Sequence, residues 1–484
     1  MLAPAPQSTT TDTAATDTAQ PEVALPPTPW KWRLLILGAV ALVGAVAYFG
    51  RMAVADRPEI AYRVQASCGV ICFLGVAAFF SKSLQSVSRK TMLWGIGLQF
   101  ALAVAVLNSE SVRSVFEAVG VGIKALIAAS DKGAEFVFGN LARPDHMAKV
   151  FGDNFLFCFA FKALPPIIFI SSLFSVLYYL GVLQLFVRVM ARIMMYLMGT
   201  SGAETLSVSA NVFMGQTEAP LIVKPFIPKM TRSELLALMA SGMAHISGGM
   251  MAIYISVYGA DPVSILCTCV MACPCSLYLT KLIYPEAGKP VTMGAAPIAV
   301  ETPYVNVIDA AAAGVKDGLL LAMNVAAMLI AFIAFIALFD IILGGIYTGL
   351  TLEKIFGTLF APVAFLLGVD PSECDKVGSL LGIKLAANEH VAYLTLAGKL
   401  PHTEHYTTLS PRSKILAVYA LTGFANFASV GIQLGGIGAM APGRRADLAK
   451  LGMKALFIGF LATLNNAAIA GMLMKICPLG EGGA

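Results

Sequence analysis

Three polar stretches interrupt otherwise apolar sequence, and two of them carry an acid. The stretch "NVFMGQTEAPLIVKPFIPKM" (211–230) sets Gln216, Thr217 and Glu218 between apolar runs, with Pro220, Pro225 and Pro228 closing in behind. "NEHVAY" (388–393) centres on Glu389, and "GFANFASVGIQLGG" (423–436) brings Phe424, Asn426 and Ser429. Amides and carboxylates accept and donate along the edge of a planar heterocycle or to sugar hydroxyls. An aromatic ring adds a stacking face. No Arg or Lys falls within these breaks, and the cation nearest to the first is Lys224, in its second arm. The pattern argues against an anionic solute and suits a neutral polar molecule with a ring.

The elements holding these groups must lie in a bilayer. The 484 residues are 58% hydrophobic and 13% charged, against roughly 25% charged in a soluble domain. The net charge of +5 sits in short connections such as "APGRRADLAK" (441–450), where cytoplasmic loops carry it. Nucleic-acid binding is not implied. Spans are expected near 33–50, 60–80, 91–108, 153–180, 233–258, 262–284, 316–346, 412–440 and 447–476, each close to the ~20 apolar residues a crossing needs. Residues 109–139 mix charges into apolar positions at helical spacing, which suits a helix lying along the interface. Residues 1–29, rich in Thr, Ala and Pro, read as a disordered tail without the basic start, apolar middle and cleavage site of a signal peptide.

The acids fall in segments that are neither clean spans nor loops. Residues 183–229 open with the amphipathic "LQLFVRVMARIMMYLMG" and continue into an apolar run broken by "GQTEAP". Residues 352–401 repeat the plan, with "LEKIFGTLFAPVAFLLG" ahead of an apolar segment broken by "NEHVAY". Each unit is followed by an interrupted helix, "MAHISGGMMAIY" (243–254) in one case and "GFANFASVGIQLGGIG" (423–438) in the other. Interfacial helix, re-entrant hairpin with one acid, then broken span is the pattern of an internal repeat in a secondary transporter. Unwound backbone at membrane depth is tolerated only where it lines a cavity or binds something. A buried carboxylate there is expensive unless partnered, so Glu218 and Glu389 are functional candidates, with a structural pair as the alternative.

Nine cysteines are present, four in "CTCVMACPC" (Cys267, Cys269, Cys273, Cys275). Inside an apolar segment they read as buried inert thiols rather than a soft-metal site. His146, His402 and His405 read as loop residues, the "HTEH" spacing notwithstanding. An intramembrane enzyme is one rival reading, but the chain has no HExxH or G-x-S-x-G motif. An ion channel lacks a repeated selectivity ring, and a transporter for another neutral ring-containing solute stays open.

"GQTEAPLIVKPFIPKMTRSEL", "NEHVAY", "GFANFASVGIQLGG" and "APGRRADLAKLGMKAL" together resemble the concentrative nucleoside transporter family, from about residue 60 to the C-terminus. The resemblance implies an all-α polytopic membrane protein with about nine transmembrane helices, one of them (33–50) additional to the eight often found in bacterial members. It implies two re-entrant hairpins in inverted repeats, a homotrimer, and a multi-pass location in the inner (plasma) membrane. The implied division is 1–29 tail; 30–108 extra helix plus scaffold helices; 109–182 interfacial helix and scaffold span; 183–290 first transport repeat with hairpin 202–229. There follow 291–351 linker and scaffold span, 352–476 second repeat with hairpin 376–401, and 477–484 C-terminal tail. The N-terminus would be cytoplasmic if the C-terminus is external.

The implied function is cation-coupled nucleoside import by an elevator-like movement, with no enzymatic activity and no cofactor beyond the coupling cation. Gln216, Thr217 and Glu218 would contact the base, Glu389, Asn426 and Ser429 the ribose, and Phe424 and Met250 would pack nearby. The sodium site maps onto Asn211, His245 and the carbonyls of Met214 and Ile246, with His245 standing where the family has a small hydroxyl residue. Neutral imidazole is a poor ligand for a hard cation, and His titrates near neutral pH, so a proton competes with sodium as coupling ion, sodium slightly favoured. His390, beside Glu389, is a second departure from an aromatic or apolar family residue and either tunes the acid or fills space.

Overall fold

A computed structural model describes residues 23–151, 158–294, 304–400 and 402–474, and every regular element among them is helical. The expected tails fall outside the described residues, apart from 23–29. The chain opens with three apolar helices, α1 (Trp30–Ala53), α2 (Pro58–Phe79) and α3 (Arg89–Asn108). The interfacial candidate is one amphipathic helix of 29 residues, α4 (Glu110–Phe138). Short helices α5 (Pro144–Phe151) and α6 (Phe159–Lys162) lead to α7 (Leu164–Tyr179) and the amphipathic α8 (Val182–Met198).

The first polar break then interrupts a helical pair as its spacing predicts. Helix α9 (Gly202–Ala210) stops at Asn211, an irregular turn carries Gly215 to Glu218, and the chain resumes with α10 (Ala219–Ile222) and a 3₁₀ segment, Lys224–Lys229. Pro225 and Pro228 keep that second arm from forming a regular α-helix, because each lacks an N–H. The span expected over 233–258 is two helices, α11 (Arg232–Ala244) and α12 (Gly248–Ser256), parted by an extended His245. Ser247 restarts the helix by accepting the N–H of Met250 at 3.4 Å, a serine N-cap. Helix α13 (Pro262–Ile283) completes this unit.

After α14 (Val307–Ile346), a 40-residue helix longer than its expected span, the plan repeats. Amphipathic α15 (Leu352–Leu366) precedes α16 (Cys374–Ala386) and α17 (Glu389–Leu396), the two arms around "NEH". The span expected over 412–440 is again two helices, α18 (Pro411–Leu421) and α19 (Phe427–Met440), before α20 (Arg445–Leu473). Gly423 in that break has φ +151°, a conformation glycine adopts without a Cβ penalty. A Cβ there would also lie 2.7 Å from Thr463 and 3.0 Å from the carbonyl of Met243. Eight helices among the described residues are long and apolar enough to cross a membrane.

The deepest helices are α11, α13 and α20, which pack on one another. Helices α2 and α3 lie against α20 and α13, α1 lies along α2, and α7 pairs with α14. Both α1 and α14 turn nearly all of their apolar surface outward, as lipid or another apolar surface requires. The start of α1 and the end of α20 lie at opposite ends of the bundle. Val23 N donates to the carbonyl of Ala287 at 3.0 Å at one end. Arg412, at the other, donates to the carbonyl of Gly471 at 2.6 Å.

At the first end, two capping boxes interlock. Ser201 and Glu204 cap α9, Thr231 and Glu234 cap α11, and the Ser201 hydroxyl donates to Glu234 Oε1 at 2.6 Å. Lys281 lies 2.8 Å from Glu204 and 3.1 Å from Glu286, and all three sit at the closed base of the first hairpin. Removing one partner of a buried pair leaves an uncompensated charge and costs about 3–5 kcal/mol. Lys281→Met is therefore expected to lower the thermal unfolding midpoint in detergent by several degrees. An unchanged midpoint would mean that the cluster is not electrostatically held.

Candidate functional site

The two hairpin breaks and the second helix break meet through side-chain amides. Gln216 Nε2, at the first hairpin tip, donates to Ser429 Oγ on α19 at 3.2 Å. Asn426 Oδ1 accepts the Ser429 N–H at 2.8 Å and so caps α19. The other end of that amide, Nδ2, donates to Glu389 Oε2 at 2.8 Å, and Tyr254 OH donates to Glu389 Oε1 at 3.4 Å. Glu389 is the first residue of α17, whose N-cap is Asn388. Four residues separated by up to 213 positions thus form one hydrogen-bonded chain from the first hairpin to the second.

The remaining candidates flank that chain. Glu218 Oε2 accepts the N–H of Gly215 at 3.0 Å, closing its own turn. A Cβ on Gly436 would lie 2.7 Å from Thr217 Cγ2, so the threonine methyl rests on α19. Met250 is buried in the first turn of α12. Phe424 is half-buried and donates its N–H to the carbonyl of His245 at 3.1 Å, joining the two helix breaks directly.

The candidate cation site lies where the first hairpin meets the α11–α12 break. Gly248 N donates to the carbonyl of Phe213 at 2.9 Å and holds the two together. Asn211 Nδ2 donates to the Ser207 carbonyl at 3.2 Å and to Ser241 Oγ at 3.0 Å. Its Oδ1 is buried without a hydrogen-bond partner. An orphaned, orientated amide oxygen between two carbonyl-bearing breaks is the donor type a hard cation selects. His245 is joined to this site through Ser241, whose Oγ lies 3.5 Å from its Nδ1 and accepts from Asn211. Its Nδ1 lies 2.8 Å from the carbonyl of Ser241, which can only accept, so Nδ1 carries a proton, and Nε2 lies 3.3 Å from Cys273 Sγ. Both ring nitrogens are engaged, and the ring acts as a wedge between α11 and α13. Cys267, Cys269, Cys273 and Cys275 all face the interior of the bundle along α13.

His390 also has a definite role in packing. Its Nε2 lies 2.7 Å from Tyr258 OH, and its ring sits between Phe159, Tyr254 and Tyr258. Tyr254 stacks on Tyr393 at 4.2 Å, which places the phenol that reaches Glu389.

Three participants were not among the expected residues. Gln433 on α19 donates to Gln216 Oε1 at 3.2 Å, and it falls on the face of Asn426 and Ser429 by i, i+3, i+7 spacing, a signal that could have found it. Tyr254 lies in a quoted motif but has no polar neighbours in sequence. Lys384 is fully buried on α16, five residues before Glu389, and donates to the carbonyl of Ala420 at 2.7 Å and to Thr463 Oγ1 at 2.9 Å. It supplies a hydrogen-bond donor at the C-terminal end of α18, where helix carbonyls lack partners.

Known proteins share this architecture. Residues 68–141 match the family model "Na+ dependent nucleoside transporter N-terminus", 264–471 the corresponding C-terminus, and 160–261 the model "Nucleoside recognition". An uncharacterized transporter of Haemophilus influenzae is 40% identical over 84% of this chain and 97% of its own length. Sodium/nucleoside cotransporter 1 of Mus musculus is 39% identical over 84% of this chain, which spans 63% of the mouse protein. The solved structure of CNTnw in an inward-facing substrate-bound state superposes with a TM-score of 0.78 at 37% identity, covering 86% of this chain and 98% of that one. A CNTnw variant in an outward-facing state gives 0.80, also at 37% identity, over 85% and 98%. These relatives are transporters rather than enzymes, and their helical plan is that of a multi-pass protein of the plasma membrane. On this footing the chain belongs to the concentrative, Na+ dependent nucleoside transporter family.

Proposed function

We propose that this chain imports nucleosides with sodium as the coupling cation, by an elevator-like movement of the hairpin-bearing body within a homotrimer. The observation that carries the reading is the hydrogen-bonded chain Gln216–Ser429–Asn426–Glu389, which binds the tips of both hairpins to one broken helix. A solute bridging that chain meets amide donors and acceptors at one end, for a base, and a carboxyl group at the other, for ribose hydroxyls. Thr217 and Glu218 complete the base side, and Phe424 and Met250 supply apolar contact. The relatives that share the fold include structures in inward-facing and outward-facing states, which supports alternating access. Helices α2 and α3, expected to be scaffold, pack on α13 and α20, so they would instead travel with the hairpins past α7 and α14. The outward apolar face of α14 suits lipid and the neighbouring copies.

Sodium is favoured over a proton because Asn211 Oδ1 is free while both His245 nitrogens are committed to protein partners. Asn211 Oδ1 with the carbonyls of Met214 and Ile246 would hold the ion. Lys31, Arg33, Lys82, Arg232 and Arg444 gather at the end where α1 begins, against Arg51, Arg57, Arg63 and Arg412 at the other, and the first set supports a cytoplasmic position for that end.

The test is uptake of labelled uridine and adenosine into proteoliposomes under a sodium gradient or a proton gradient alone. Accumulation is expected with sodium. Accumulation with protons only would refute the coupling assignment, and none under either would refute nucleoside transport. His245→Ser returns a hydroxyl oxygen to the site, and an added ligand worth about 1 kcal/mol corresponds to roughly fivefold. The sodium concentration for half-maximal uptake is therefore expected to fall about fivefold. A rise instead would show that the wedge, not the ligand set, limits sodium affinity.

A further inference from the structure

We infer that a groove at the end where α1 begins is a binding site for one anionic phospholipid, its phosphate held between Lys82 and Lys454 and its acyl chain laid against Phe80, Met453 and Phe457. The groove lies apart from the solute site, and the inference does not depend on the transport reading.

The groove is a cavity of about 240 Å³ where the end of α2, the α2–α3 connection, the end of α13 and the first third of α20 meet. Part of its wall is apolar. The Phe80 and Phe457 rings meet edge to face at 5.0 Å, and Met453 lines the same wall. The other part is cationic. Lys82 Nζ donates to Tyr284 OH at 2.9 Å and lies 4.3 Å from the ring centroid, while Lys454 Nζ approaches the same ring at 5.4 Å. Tyr284 is buried, and its carbonyl accepts from Ser233 Oγ at 2.9 Å, so the ring that gathers the two ammonium groups is held in place. Like charges brought this close repel unless an anion is shared between them. The carboxylates of this end are already engaged, Glu286 by Lys281 and Asp447 by Arg232 and Arg444. One turn from Lys454 along α20 stand Lys450, Leu451, Phe457 and Ile458, none of them acidic. Among the described residues neither Lys82 nor Lys454 pairs with a carboxylate.

The depth suits a lipid headgroup. Trp30 and Trp32 are exposed at the start of α1, where tryptophans mark the membrane interface. Thr28 and Arg33 flank that pair and both donate to the Ser81 carbonyl, at 2.9 and 3.3 Å, which sets Lys82 at the same level. The apolar wall runs from there toward the hydrocarbon. Phe80 closes α2 just before Lys82, and Phe457 lies about 4.5 Å further into the bilayer than Lys454 along α20. Phe80 and Met453 stay 54% and 56% exposed, so the groove opens sideways and its occupant extends beyond it. Its volume also falls below the about 300–1,000 Å³ of a small-molecule pocket. Basic pockets between spanning helices take anionic headgroups. A zwitterionic headgroup would bring its own cation up to the two lysines, and a soluble anion would leave the apolar wall unused.

The experiment titrates the delipidated full chain in neutral detergent with phosphatidylglycerol or with phosphatidylcholine of the same acyl chains, and counts bound lipid by native mass spectrometry. Phosphatidylglycerol is expected to bind at roughly 25-fold lower concentration, about fivefold for each lysine. Lys82→Gln and Lys454→Gln should each weaken phosphatidylglycerol about fivefold and leave phosphatidylcholine unchanged. Met453→Glu, at an exposed position, sets a carboxylate into the groove and should lower phosphatidylglycerol binding further than either. Arg89→Gln is the control, since it removes a charge at the start of α3, outside the groove, and binding should not change. Equal loss in Arg89→Gln would reduce the effect to diffuse attraction and overturn the site. Equal binding of the two lipids by the wild type would overturn the anionic assignment. Inorganic phosphate in excess should not displace phosphatidylglycerol, and displacement would give the groove to a soluble anion instead. Should the Lys82 variant fail to fold for want of its Tyr284 contact, the wild-type preference together with Met453→Glu decides the matter.

Discussion

Glu389→Gln is expected to lower uridine uptake at least about 100-fold while the protein stays folded in the membrane. The structure separates the two effects. Glu389 Oε2 accepts from Asn426 Nδ2 and Oε1 accepts from Tyr254 OH. A glutamine can keep its oxygen toward Asn426 and turn its Nε2 toward the tyrosine, whose hydroxyl also accepts. The protein's own contacts survive the change. On the proposed reading, what is lost is the capacity to accept from two ribose hydroxyls with a charged or strongly polar carboxyl. Hydrogen bonds to charged groups contribute about 1.5–3 kcal/mol each, so losing two corresponds to at least about a hundredfold. Transport of 2′,3′-dideoxyuridine, which lacks those hydroxyls, should already be weak in the wild type and change little on mutation. If Glu389→Gln instead lowered dideoxyuridine and uridine uptake by the same factor, Glu389 would not be a ribose contact.

How much of this was legible in the chain depends on the range of the interaction involved. The apolar segments and the breaks at 215–218, 388–390 and 423–426 were readable because each is a local departure from a 20-residue apolar pattern. The Asn426 and Ser247 caps confirm why those breaks restart as helices, a local rule of side-chain oxygen to backbone N–H. The Gln216–Gln433 contact spans 217 positions and follows from how α11, α19 and the hairpin pack. No window of sequence contains it. Lys384 was hidden for a different reason, since one lysine in an apolar arm barely shifts its average, yet its Nζ caps the Ala420 carbonyl of a helix 36 positions away. His245 stands out only through the resemblance, where the family has a small hydroxyl residue, and its orientation toward Ser241 and Cys273 is set by tertiary neighbours. The paired roles of α2 and α3 with α13 and α20 were likewise invisible, because hydropathy says that a helix crosses and not what it crosses beside.

Gly242→Ala should lower uptake roughly 10- to 100-fold, although by helix propensity alone it is a stabilising change. Glycine in a helix interior costs about 0.5–1 kcal/mol relative to alanine, so α11 as a helix gains from the substitution. The added methyl, however, would lie 2.7 Å from Gln433 Nε2, 2.9 Å from Gln216 Cβ and 3.2 Å from Gln216 Cα. The amide end of Gln433 could swing aside, but only by giving up both Met239 and Gln216. The Gln216 contacts are at the root of the side chain, so relieving them moves the hairpin tip itself. Overpacking of this kind costs about 1–3 kcal/mol, and here it falls on the one place where α11, α19 and the first hairpin converge. Gly38→Ala on α1 is the matched control, with nothing within 4 Å of the new methyl, and it should leave uptake within about twofold. The comparison turns on sign: two glycine-to-alanine changes with the same propensity gain, one silent and one disabling. Wild-type uptake by Gly242→Ala, with the protein present in the membrane, would show that the hairpin tip need not rest on α11 for the solute to be held, and the shared site would have to be placed elsewhere.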